Sequence, residues 1–167
     1  MSFFYRVSVF FAAFLLFGGV FVQSNIARGE IHPAPEQRPS FARDGLTIIG
    51  QDGGRQSLWV EIARSPDELA YGLMKITELP GTDGMLFVAA QPSQLYFWMK
   101  DTLIPLDLLF IDSAGKVISI AANQKPMSLH FIPSGGVAKA VLEIQGGMAV
   151  RWGIKLGDKL IYRDFQP

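Results

Sequence analysis

From Gly45 to Phe165 the apolar residues come in short runs, each stopped within a few positions by Gly, Pro, Asp or Asn. Runs of about four to eight residues fit strands and are too short for packed helices. Eight segments read this way: Leu46–Ile49, Ser57–Ala63, Met85–Val88, Gln94–Met99, Leu106–Ile111, Lys116–Ala121, Val137–Ile144 and Lys159–Arg163. Gln51-Asp52-Gly53-Gly54 turns the first pair into a hairpin. Asp112-Ser113-Ala114-Gly115 does the same for Leu106–Ile111 and Lys116–Ala121, with Gly115 free to take the left-handed conformation such a loop needs. One clear helix start interrupts the strands. The Ser65 side chain can accept from an orphan amide, Pro66 loses nothing at the first helical position, and Glu68 can bond back. A second helical turn fits within Gly146–Gly153. The expected fold is mainly β: a compact antiparallel β-sandwich or barrel-like single domain with one or two short helices. No βαβ rhythm and no Gly-rich phosphate loop appear, which argues against nucleotide folds.

The first 29 residues follow other rules. Seven of the 13 Phe lie there, Arg6 precedes an uncharged apolar run, Val7–Val22, and Ala27-Arg28-Gly29 offers a small-residue cleavage pattern. This order describes a secretory signal peptide, and the 16-residue run is short for a membrane span of ~20 residues. The alternative is a retained N-terminal anchor, in which case residues 7–22 make the only membrane contact. The expected location is therefore outside the inner membrane, periplasmic. Residues 30–44, with Pro33, Pro35 and Pro39, read as an extended linker, and residues 45–165 as the domain.

Charge is balanced, with 15 basic and 15 acidic residues and no block of one sign. A nucleic-acid surface needs a basic face, so no nucleic-acid partner is expected. With no cysteine there is neither a disulfide framework nor a thiolate zinc site. His32 and His130 show no ligand spacing, so neither a metal nor another cofactor is expected.

The densest segment chemically is Phe97–Asp107. Alternation puts Phe97 and Met99 on one face and Trp98 on the other, either covering an edge of the core or stacking on a ligand ring. Lys100, Asp101 and Thr102 follow where the strand turns into a loop, a common place for binding residues. Lys100 can attract an anion, and Asp101 can serve as a base or simply satisfy turn amides. Asp107 interrupts a strand that is apolar on both faces, so it needs a partner, for which Lys100 is a candidate. Glu61 and Glu143 each lie among apolar strand neighbours. Two such carboxylates could share acid–base work, although solvent-facing alternation accounts for each one separately. Ser134, His130 and Asp107 form an imaginable triad, with no nucleophile-elbow pattern behind it.

Taken in order, several blocks resemble the domain of unknown function 192 family over about Ser57–Tyr162. They are Ser65-Pro66 with Glu68; Gly72-Leu73-Met74; Leu79-Pro80; Gly84-Met85-Leu86-Phe87; Phe97-Trp98-Met99-Lys100 with Thr102; Ile104-Pro105-Leu106-Asp107; Phe110-Ile111-Asp112; Leu142-Glu143; and Gly153-Ile154 with Gly157-Asp158. The resemblance implies a compact, mainly β, often exported domain, and it implies no reaction. Two departures stand out: Asp101 where the family pattern has Asn, and Ile76 where it has Arg. Both make the surroundings of Lys100 less cationic.

The expected function is a non-catalytic binding or accessory module. Trp98, Lys100, Asp101, Thr102, Asp107 and Glu143 are the candidate ligand-binding residues, and a small polar ligand or an envelope protein is the partner. A metal-independent hydrolase or lyase using carboxylates is one alternative, and a structural partner of an envelope protein is another.

Overall fold

The computed structural model describes residues 34–165. The signal-peptide and anchor expectations fall on residues outside that range. Among the described residues no helix is long and apolar enough to cross a membrane.

Seven strands and two short helices follow in the order β1 (Ala42–Ile49), β2 (Arg55–Ala63), α1 (Pro66–Tyr71), β3 (Asp83–Phe97), β4 (Leu106–Ile111), β5 (Val117–Gln124), β6 (Ile132–Gln145), α2 (Met148–Arg151) and β7 (Lys159–Ile161). They form one sheet in the spatial order β5-β4-β6-β3-β2-β1-β7. The two segments expected at Met85–Val88 and Gln94–Met99 are a single strand, β3, with a register shift between Val88 and Ser93. Pairing is antiparallel except between β2 and β3, which run parallel. The connection there is not a hairpin. It carries α1 before the chain re-enters the sheet, as a parallel neighbour requires. The capping box expected at Ser65 and Glu68 is present and starts that helix.

The sheet curls into a half-barrel whose two edges meet at one corner. Val117 N–H donates to Asp158 C=O at 2.8 Å, and Leu160 N–H donates to Gly115 C=O at 2.7 Å, joining the β5 end to the β7 end. All seven strands feed the inner cluster, which includes Leu46, Val60, Leu86, Leu109, Val117, Leu142 and Leu160. The outer cluster gathers Met85, Phe87, Phe97, Leu108, Phe110 and Val141 under α1 and the loops. Because both faces are covered, the central strands carry near-continuous apolar runs instead of alternation. Residues 34–44 are also engaged: Ala34 and Phe41 pack against the outer cluster, Arg38 pairs with Glu61, and β1 starts at Ala42.

Gly115 sits on the closing corner. Its φ is +81°, and a Cβ there would stand 2.6 Å from the Leu160 carbonyl oxygen. Gly115→Ala is expected to lower stability by roughly 1–3 kcal/mol through left-handed strain and the backbone clash. Urea unfolding measures it, and an unchanged midpoint would mean that the corner does not hold the two sheet edges together.

Candidate functional site

Burial alternates at the end of β3 and just beyond it: Phe97 and Met99 are buried, and Trp98 is half-buried and packs against the same outer cluster. The Trp98 ring stacks on Phe131 with centroids 5.7 Å apart and planes 9° from parallel, and the Lys100 ammonium lies 5.6 Å from the Trp98 centroid. Beyond β3 three loop segments are tied together by backbone hydrogen bonds. Lys75 N–H donates to Asp101 C=O at 2.9 Å, Met127 N–H to Thr102 C=O at 3.1 Å, and Met99 N–H to Ser128 C=O at 2.9 Å. The buried Thr102 hydroxyl donates to Lys100 C=O. Leu103, Met127, Leu129 and Phe131 stand exposed on these segments. The result is a loop platform with aromatic and aliphatic side chains and the cations Lys75, Lys100 and Lys125 on its segments.

Backbone strain gathers at the same place. Among the described residues four non-glycine residues have positive φ, namely Lys75 (60°), Asp101 (53°), Asn123 (49°) and Met127 (59°). Such residues need surroundings that hold them, and they concentrate at functional sites. Lys75, Asp101 and Met127 all belong to the hydrogen-bonded loop cluster. The left-handed region also explains why the Asn-to-Asp departure at position 101 is tolerated. Both residues enter it at a lower cost than other non-glycine residues, so the turn survives while a neutral amide becomes a carboxyl. Ile76 uses the other departure for packing and lies half-buried against the outer cluster.

The structure brings Trp98, Lys100, Asp101 and Thr102 together on this platform. It does not bring Asp107 or Glu143 to it. Asp107 is fully buried, and its partner is not Lys100. Its Oδ1 accepts from Asn123 N–H at 2.6 Å and Gly147 N–H at 3.0 Å, and its Oδ2 accepts from Ala149 N–H at 2.7 Å. Gly147 is the N-cap of α2 and has no side chain to offer. Asp107, reaching from β4, supplies the missing cap, satisfies orphan amides and places negative charge at the helix start.

Glu143 departs from the solvent-facing expectation. It lies in β6 between Leu108 of β4 and Met85 of β3, and is 1% exposed. Its Oε2 has no hydrogen-bond partner among the described residues. Burial pushes its carboxyl up to about 8, so at neutral pH it holds its proton. Glu61 shares that face, separated from Glu143 by Met85, and is paired with Arg38. Asp107 faces the inner cluster, opposite Ile144, whereas Glu143 lies beside Leu108 of the outer cluster. The carboxylates therefore do not converge. The imagined triad is not assembled either: the buried Ser134 hydroxyl accepts from Leu95 N–H and donates to Gly136 C=O. Among the described residues no group of three or more His, Asp or Glu is placed to hold a metal.

Sequence reasoning passed over Lys75, Met127, Leu129 and Phe131. The alternation Met127, Leu129, Phe131 after Pro126 was a visible signal that the loop carries an apolar edge.

A small, mainly β half-barrel with a strained, partly apolar loop platform defines the class of protein. The chain belongs to the domain of unknown function 192 family, whose model (DUF192, Uncharacterized ACR) matches residues 47–162. Two solved structures are similar. One is a candidate transcription regulator from Sinorhizobium meliloti 1021, 34% identical, covering 75% of this chain and 97% of its own, with a TM-score of 0.73. The other is a protein of unknown function from Novosphingobium aromaticivorans DSM 12444, 37% identical, covering 85% of this chain and 93% of its own, with a TM-score of 0.69. No curated protein matched the chain.

Proposed function

We propose that the protein is an exported binding module whose loop platform, built around Trp98, Lys100, Asp101 and Thr102, receives a small polar ligand with an apolar face and a negative group. One observation supports this reading: Lys75, Asp101 and Met127, three of the four non-glycine residues with positive φ among the described residues, belong to one backbone-bonded loop cluster that also carries the exposed Phe131 and Leu129. Strain held at a surface that also exposes apolar rings and a cation serves recognition better than it serves stability. Asp107 acts in this reading as a brace for α2, and Glu143 as a buried group of the outer core. The regulator description of the Sinorhizobium relative does not transfer by charge, since 15 basic residues balance 15 acidic ones. Export rests on the order of charge, apolar run and small residues in the first 29 positions.

Thermal shift of the full chain, purified as the cell processes it, tests this reading against amino acids, organic acids, nucleotides and cell-wall peptides. A ligand present at 100 times its Kd adds about 2.7 kcal/mol to the folded state. Lys100→Met, which keeps the stem and removes the charge, is expected to weaken a hit about tenfold, and Phe131→Ala to do the same. A hit indifferent to both variants places the ligand elsewhere. A specific observation favours a second reading, an envelope protein as partner: Leu103, Met127 and Leu129 extend the apolar edge beyond the Trp98–Phe131 stack. Crosslinking from position 129 in the native envelope distinguishes it from a small-ligand site.

A further inference from the structure

The outer face of β7, β1 and β2 carries a groove separate from the loop platform. It is an open groove of about 570 Å³ on the sheet surface. Among the described residues no ionisable side chain lines it, and its lining combines Trp59 and Ile161 with the hydroxyl-bearing Thr47, Ser57 and Thr82. Trp59 is 60% exposed although it sits within a strand. Its cross-strand partner is Gly45, and a Cβ there would lie 3.9 Å from Trp59 Cζ3. The ring is thus braced against bare backbone and keeps much of its surface open. Beside it, Thr47 Oγ1 and Ser57 Oγ are 3.2 Å apart in a cross-strand hydrogen bond. Each hydroxyl has one donor and two acceptor sites, so after their mutual bond the pair still offers one donor and several acceptors. Two nearby cations are paired, Arg43 with Asp83 at 2.8 Å and Arg163 with Asp44 at 3.0 Å, while Arg55 and Lys159 lie two residues beyond Ser57 and Ile161, outside the lining.

We infer that this groove binds a neutral sugar ring of a glycan, stacked on Trp59 and hydrogen-bonded by the Thr47–Ser57 hydroxyl pair. An exposed indole accepts an apolar C–H face, adjacent neutral hydroxyls match ring hydroxyls, and an uncharged lining offers no counter-charge to an ionic ligand. The inference goes beyond the loop-platform reading and stands independently of it.

Isothermal titration calorimetry of the full chain with cellotriose, maltotriose and chitotriose tests it. Saturable binding of at least one is expected, weakened about tenfold or more by Trp59→Ala and several-fold by Thr47→Val, and unchanged by Lys100→Met. Thr47→Val preserves shape and strand propensity, so it decides the matter if Trp59→Ala folds poorly. Absence of binding by all three sugars at millimolar concentration overturns the inference. So does binding that survives Trp59→Ala or Thr47→Val at full affinity. Binding lost in Lys100→Met and retained in Trp59→Ala also overturns it, and assigns sugars to the loop platform instead.

Discussion

Asp107→Ala is expected to destabilise the protein by roughly 2–4 kcal/mol, because it leaves the buried Ala149 N–H unsatisfied, at about 1–3 kcal/mol, removes the cap of α2, at about 1 kcal/mol, and takes the acceptor from two part-buried amides. The affected amides belong to Asn123, Gly147 and Ala149. A loss of that size is a large part of the ~5–15 kcal/mol that holds a domain together. Asp107→Asn keeps one acceptor oxygen and turns an amino group towards donors, so its loss is expected to be intermediate. Urea unfolding gives the magnitude. Hydrogen exchange gives the location, since the Ala149 amide should lose protection before the central strands do. A variant with wild-type stability and a protected Ala149 amide would falsify the bracing role.

Glu143 is expected to make the protein less stable as pH rises. In the unfolded chain its carboxyl ionises near the ordinary 4.5, whereas in the folded chain burial holds it protonated up to about 8. Between those two values the folded state binds a proton that the unfolded state has released. Stability therefore falls with rising pH, at up to about 1.4 kcal/mol per pH unit, and levels off above about pH 8. Below about pH 4.5 both states are protonated and the full stability is present. Glu68 acts in the opposite direction and in another window. Its carboxyl is held low by the Ser65 and Arg64 amides against the opposing effect of burial, so its contribution is lost only as pH falls below the ordinary carboxylate range. Comparing urea midpoints from pH 5 to 9 for the wild type and Glu143→Gln isolates the effect, because the glutamine variant should lack this slope. Glu143→Met, which replaces an unpartnered polar end with an apolar one, is expected to stabilise the protein at pH 7 by roughly 1–3 kcal/mol. If the wild type and the glutamine variant show parallel pH profiles, Glu143 is not buried as described.

Local signals read true in the sequence because their physics is local. Ser65 and Glu68 cap α1 within one turn of chain, and the Leu106–Gln124 hairpin turns where Asp112 and Gly115 place it. The different burial of Phe97 and Trp98 follows the alternation read from the sequence, although both pack on the outer cluster. The burial of Glu143 was not legible in this way. Leu142 and Ile144 mark one core face, and only the packing of α1 and the loops on the other side creates a second. The continuous run Val141–Ile144 was the trace left in the sequence by that second face.

The candidate site divides along the same line. Trp98, Lys100, Asp101 and Thr102 are neighbours in sequence, so one turn after β3 delivers them together. Their companions Lys75 and Met127 come from elsewhere in the chain and meet them only through long-range backbone hydrogen bonds. By itself the sequence determined the β class, the main helix start, the hairpins and the family, each from short-range patterning. Tertiary structure alone decided the parallel β2–β3 pair, the closing corner at Gly115, the three amides around Asp107 and the Trp59 groove. Each of these depends on which distant strands lie side by side, and strand pairing is a long-range choice that no local run of residues encodes.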